Sequence, residues 1–265
     1  MSEPLVVVDG SHRLVALREV AKVVSASSPR QVHEVMSKYV HGAIWIARPG
    51  PIVKLLAAAI DPLAKTPHRL LLIGSPKPPE RAFLQAVFES VVAPDDDIQM
   101  LKLDDLVEVL RSAHRANLFI GGVVAPAAKS VVLIRGDLTS LVVPFAWFSP
   151  RPNGPKPDFS DFEIVDTGQT IRLGEYEAAS DAALYEFDVE FRRHERRRRL
   201  SSDKSFGGAL RRLRLQRGLS RDDFPGLSAK TIARIERGDV KEPHGGTLVT
   251  IAERLGVKPD EIASF

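Results

Sequence analysis

The sequence predicts three folds in series: an α/β domain over residues 1–128, a small acidic α+β domain over 129–190, and an all-α domain over 205–265. An arginine-rich linker at 191–204 joins the last two. Three observations carry this division. Apolar strand-like runs alternate with helix-like segments through the first half, the signature of an α/β domain with parallel strands. The middle is rich in acidic residues, proline and glycine. The end is a run of short amphipathic segments, opened by serine and closed by glycine. Charge divides along the same lines. Residues 191–265 hold 18 Lys/Arg and 10 Asp/Glu (net +8), 129–190 hold 5 and 11 (net −6), and 1–128 hold 14 and 13 (net +1), within a chain net of +3.

In the first domain, Asp9-Gly10 is a hairpin turn signal between Leu5–Val8 and His12–Leu17, which predicts a strand pair. Pro29 opens a helix capped by Ser28. Gly50-Pro51 precedes an apolar helix at Ile52–Ile60. Arg69–Ile73 is a short apolar run ending in Gly-Ser-Pro, a buried strand. Glu80–Val92 is a helix with Phe83, Val87 and Val91 on one stripe. Ile98–Leu103 is a strand, Asp104–His114 a helix with its acidic residues at the favoured end, and Leu118–Val124 a buried strand. Trp45 and Trp147, each in an apolar run, are expected in the core.

In the middle domain, Ser130–Asp137 and Leu141–Phe148 are strands joined near Gly136-Asp137. Ser149–Pro157 is a loop, Phe162–Asp166 and Thr170–Leu173 are strands, and Asp181–Glu190 is a short helix. The aromatic cluster Phe145–Phe148, the Asp166–Arg172 run and Leu184-Tyr185-Glu186 resemble a small bacterial domain of unknown function often found beside DNA-binding modules. The linker places six arginines in the eight residues 192–199. It reads either as a solvated hinge or helix extension, or as a phosphate-binding arm made of Arg196, Arg197, Arg198 and Arg199.

In the last domain, Leu210, Leu213 and Gln216-Arg217 are spaced to give a helix with one apolar stripe, stopped by Gly218. Ser220 caps the next turn, with Asp223 three residues on, and Pro225-Gly226 ends it early. Ser228 caps a third helix, Ala229–Arg237, with Ile232 and Ile235 inward and Ala229, Lys230, Thr231 and Arg234 outward. Leu248, Ile251, Ala252 and Leu255 mark a fourth helix, and Lys258–Ile262 starts a fifth.

Arg214, Gly218-Leu219-Ser220, Ile232, Ile235 and Glu236-Arg237-Gly238 together resemble the Cro/repressor-like, xenobiotic-response-element type helix-turn-helix family. The resemblance implies that Glu236 pairs with Arg214. It implies a bacterial, sequence-specific DNA-binding regulator, a repressor acting as a homodimer on inverted repeats. Lys230, Thr231 and Arg234 would then reach base edges and Ala229 a thymine methyl, while Ser220, Arg221, Ser228, Arg237 and Lys241 position phosphates. The sequence departs from the family in its second helix, about one turn shorter, with Pro225 where a helix would continue.

Two alternatives remain beside this reading. One is an antitoxin-like protein that neutralises a partner and binds its own promoter. The other is an enzyme acting on nucleotide or DNA through the first domain. Asp9–Arg13 resembles the phosphate-handling Asp-Gly-x-His-Arg loop of the partition-protein nucleotide-binding fold, but the rest of that fold's pattern is absent and the segment reads as a polar hairpin turn. Gly121-Gly122 lacks the third glycine of a dinucleotide fingerprint. The seven histidines show no metal-ligand spacing, Asp95–Asp97 reads as a loop cluster, and Glu175, Glu177 and Asp181 have no nucleophile nearby. No catalytic residue, metal or cofactor is therefore expected. With no cysteine, no signal peptide and no run of about 20 apolar residues, the expected compartment is the cytoplasm.

Overall fold

The computed structural model describes residues 3–8, 17, 23–59, 65–94, 98–150, 152, 154–241, 243 and 245–264. The chain divides into two compact units, 1–189 and 190–265.

The first unit begins with a parallel sheet. Its strands are β1 (Leu5–Val7), β2 (Val23–Ser25), β3 (Ile44–Ala47), β4 (Arg69–Leu72) and β5 (Ser90–Val92), in the order β2-β1-β3-β4-β5. Helices α1 (Pro29–Lys38), α2 (Pro49–Ala57) and α3 (Pro78–Val87) make the crossovers between β2 and β5. Each of these helices carries a proline in its first turn, where the missing N–H costs nothing. β3 is buried at all four positions, as a strand covered on both faces requires. Val32, Trp45, Ile52, Leu56, Leu70, Leu84 and Phe88 fill the core. Trp45 is buried as its apolar run suggested, with its ring edge-on to those of His68 and Phe88.

Two expectations change here. β1 pairs in parallel with β2 on one side and β3 on the other, so no hairpin partner can add to it. The Asp9-Gly10 turn signal, and the whole of Asp9–Arg13, lie outside the described residues, as do Asp95–Asp97 and His244. The helix expected to reach Val92 stops at Val87, and Ser90–Val92 instead forms the edge strand β5. A short apolar run shows that residues are buried but cannot choose between helix and strand.

An antiparallel sheet follows, in the order β6 (Gln99–Met100), β7 (Phe119–Ala125), β8 (Ser130–Arg135), β9 (Ser140–Pro144), with α4 (Leu103–Arg111) between β6 and β7. The β7–β8 hairpin spans residues 128 and 129, so the boundary expected there falls within one supersecondary unit. The change of sheet comes between β5 and β6. A three-stranded antiparallel sheet, β10 (Phe162–Val165), β11 (Thr170–Leu173) and β12 (Tyr176–Ala179), leads into α5 (Ser180–Phe187). Gly122 lets the two antiparallel sheets meet, because a Cβ there would lie 2.9 Å from the Phe162 ring. β9 ends at Pro144, and Phe145–Trp147 is a 3-10 turn rather than a continuation of the strand. Trp147 is half-buried, not a core residue, and packs edge-on against Phe148 and Phe187. Arg115 is buried, its guanidinium donating to the carbonyls of Leu110 and Glu3, and burial lowers its pKa from the usual value.

The second unit is helical. The arginine-rich linker is a continuous helix, α6 (Val189–Ser202), with no buried residue. It is followed by α7 (Phe206–Gln216), α8 (Ala229–Glu236), α9 (Gly246–Leu255) and a 3-10 turn at Pro259–Ser264. Phe206, Leu210, Leu213, Phe224, Ile232, Ile235, Ile251, Leu255 and Ile262 form its core. Among the described residues, no helix is long and apolar enough to cross a membrane.

Candidate nucleic-acid interface

The interface is assembled from α7 upward. Ser205 caps α7 by accepting a hydrogen bond from the Gly208 N–H at 3.1 Å. A Cβ on Gly207 would lie 2.2 Å from the Ile235 carbonyl oxygen, so α7 and α8 touch backbone to backbone at this point. Nothing in the apolar spacing announced this contact; the Gly207-Gly208 pair at a helix start was its only trace. α7 ends at Gly218, whose φ of +67° suits a residue without a side chain. The Leu219 N–H bonds the Arg214 carbonyl at 3.0 Å and the Gly218 N–H bonds the Leu215 carbonyl at 3.1 Å, closing the helix end. α8 closes in the same way through Asp239 to Arg234 and Gly238 to Ile235.

Between α7 and α8 the sequence predicted a shortened helix. The structure has no helical turn there at all, only two successive turns. The Ser220 N–H donates to the Asp223 carboxylate at 2.6 Å, half of the expected capping box, and that bond holds the Asp223 pKa below its usual value. Pro225-Gly226 then makes the second of these turns, and no helix forms. Three contacts fix the segment in place of a helix. Phe224 is buried in the core. The Arg214 guanidinium donates to the Leu219 carbonyl at 2.8 Å, and the Arg254 guanidinium donates to the Asp223 carbonyl at 2.6 Å. Neither Phe224 nor Arg254 stood out in the sequence, because one is a single apolar residue among polar neighbours and the other acts across 31 residues.

α8 rests on Ile232 and Ile235, both fully buried. Ser228 caps it, accepting from the Thr231 N–H at 3.1 Å. The Glu236 carboxylate lies beneath, its side chain 2% exposed, between Arg214 at 2.6 Å and Arg221 at 2.8 Å. A buried carboxylate needs such partners, since its desolvation costs several kcal/mol. The Arg214–Glu236 pair is the one the family resemblance implied.

Exposure sorts the remaining candidates. Lys230 and Arg234 are exposed one turn apart on α8, and Ser220, Ser228, Arg237 and Lys241 are exposed around it. Ala229 and Thr231 are half-buried. The Thr231 hydroxyl shares a hydrogen bond with that of Ser228 at 2.9 Å. Arg221, expected at a phosphate, instead has its guanidinium on Glu236, though 42% of its side chain is exposed. Arg237 pairs with Asp239 at 2.8 Å. Arg196, Arg197, Arg198 and Arg199 are all exposed on α6. Among the described residues, no group of three or more His, Asp or Glu side chains is placed to hold a metal ion.

α8 therefore lies on a small helical core with Lys230 and Arg234 exposed, held by an internal ion pair and followed by a glycine stop. Residues 205–265 match the helix-turn-helix domain family. No curated protein and no solved structure matches the chain. The helix-turn-helix match points to DNA as the ligand of this unit.

Proposed function

We propose that the protein is a sequence-specific DNA-binding regulator, a repressor that acts as a homodimer and reads bases through α8. The observation that carries this reading is the pair Lys230 and Arg234, exposed one turn apart above the buried Ile232 and Ile235. Long cationic side chains at this spacing reach along a major groove, and arginine is the commonest partner of guanine there. Ala229 would meet a thymine methyl at closest approach. Ser220, Ser228, Arg237 and Lys241 ring the helix as phosphate contacts, which set register without reading sequence. Thr231 would add a base contact beside Lys230, while Arg221 acts by holding α8 rather than by reaching the duplex. The reading assigns no catalytic step, metal or cofactor to the chain.

Selection of bound duplexes from a random library by the full chain tests it. A homodimer returns an inverted repeat with half-sites about one helical turn apart. Recovery of duplexes with no common sequence overturns the reading.

A further inference from the structure

We propose that α6 is a second phosphate-binding element, a rod of guanidinium groups that lies along the backbone of duplex DNA. The inference rests on the reading of the helix-turn-helix domain as a DNA binder and extends the surface that meets the duplex.

α6 runs unbroken through 14 residues and buries none of them. Only Phe191, Arg192 and Glu195 are half-buried, so little packing supports the helix in water. Six arginines against Glu190 and Glu195 leave it a net charge of +4. At 100° per residue, Arg192, Arg193, Arg196, Arg197 and Arg199 fall within an arc of about 160°. Arg198 lies on the other side, where Glu195 meets it at 3.4 Å. The helix thus concentrates cations on one face.

That face suits a duplex. The helical rise spreads Arg192 to Arg199 over about 10 Å. Duplex DNA presents one negative charge per ~1.7 Å of axis, so about six over the same length. Guanidinium forks hold phosphate oxygens two at a time. A membrane-surface helix needs a separate apolar face. Here Val189 and Leu200, the exposed apolar residues of α6, fall inside the arginine arc.

The rod is also coupled to the base-reading unit. Arg212 of α7 donates to the Asp203 carbonyl and, at 3.4 Å, to the Ser201 carbonyl. The Asp203 carboxylate in turn accepts from the Ser205 N–H at 2.9 Å, at the cap of α7. The end of α6 is therefore anchored at the start of the helix-turn-helix domain, and phosphate contacts made by the rod add to those of the domain.

The test replaces Arg196, Arg197, Arg198 and Arg199 together, in the full chain, by Gln or by Lys. Glutamine keeps the helix propensity of arginine without its charge, and lysine keeps both. Affinity for a duplex of arbitrary sequence is followed from about 50 to 200 mM salt. The Gln variant should lower the slope of log K against log salt by roughly 3, and the Lys variant should keep it. An unchanged slope in the Gln variant, a slope lost in the Lys variant, or binding to phosphatidylserine vesicles without binding to the duplex overturns the proposal. If the slope falls as expected while Lys230→Ala and Arg234→Ala leave base preference unaltered, the rod stands and the assignment of α8 fails.

Discussion

Arg214 and Glu236, 22 positions apart in the chain, meet at 2.6 Å with both side chains buried, and their ion pair joins the last turn of α7 to the last residue of α8. The same arginine reaches the Leu219 carbonyl, and the same glutamate receives Arg221. One buried pair thus ties together α7, the turns that replace the missing helix, and α8.

Removing Arg214 leaves the buried Glu236 with Arg221 alone, whose side chain is 42% exposed. Arg214→Ala should destabilise the second unit by about 3–5 kcal/mol, whereas an apolar double replacement, Arg214→Met with Glu236→Leu, should cost far less. Hydrogen exchange of the α8 amides in the full chain measures both. Equal loss of protection in the two variants would show that the ion pair itself, rather than the stranded charge, governs the unit.

The glycines of α7 make contrasting demands. At Gly207 a methyl group would strike backbone, 2.2 Å from the Ile235 oxygen, while at Gly218 nothing lies within 4 Å and only the positive φ resists a side chain. Gly218→Ala should cost about 1–2 kcal/mol, the price of a left-handed residue. Gly207→Ala should cost more, because α7 and α8 must separate. Hydrogen exchange ranks the two, and the reverse order would refute the close helix contact.

Stability should also depend on pH through the first unit. His68 is buried beside Trp45, and burial pushes its imidazole below the usual 6.5, partly offset by a hydrogen bond to the Met36 backbone. The folded state therefore resists protonation that the unfolded state accepts. As pH falls below about 6.5, stability should drop by up to about 1.4 kcal/mol per pH unit until the folded imidazole also protonates. Urea unfolding followed by Trp45 fluorescence should show this loss, and His68→Asn should flatten it. A wild-type midpoint that does not move between pH 7.5 and 5.5 would contradict this account of the histidine.

The features legible in the sequence were those written in local order. Ser205, Ser228, Gly218 and Gly238 punctuate α7 and α8 with residues whose backbone chemistry has few alternatives. The Arg214–Glu236 pair was legible through the order of residue types around it. Non-local choices were not. Leu118–Val124 announced burial but not that its strand partners run antiparallel, and Glu80–Val92 could not show where helix gives way to edge strand. Pro225-Gly226 announced an early stop, but the loss of the whole second helix depends on Phe224 and Arg254, whose partners lie elsewhere in the fold.

The most direct test of the central claim compares base preference in duplexes selected by the wild-type chain and by Arg234→Ala. If α8 reads bases, the variant should lose discrimination at one position of each half-site, by about 1–3 kcal/mol, and keep the rest of the consensus. Lys241→Ala, a phosphate contact in this account, should weaken every sequence alike. An identical consensus and identical discrimination in Arg234→Ala would contradict the claim.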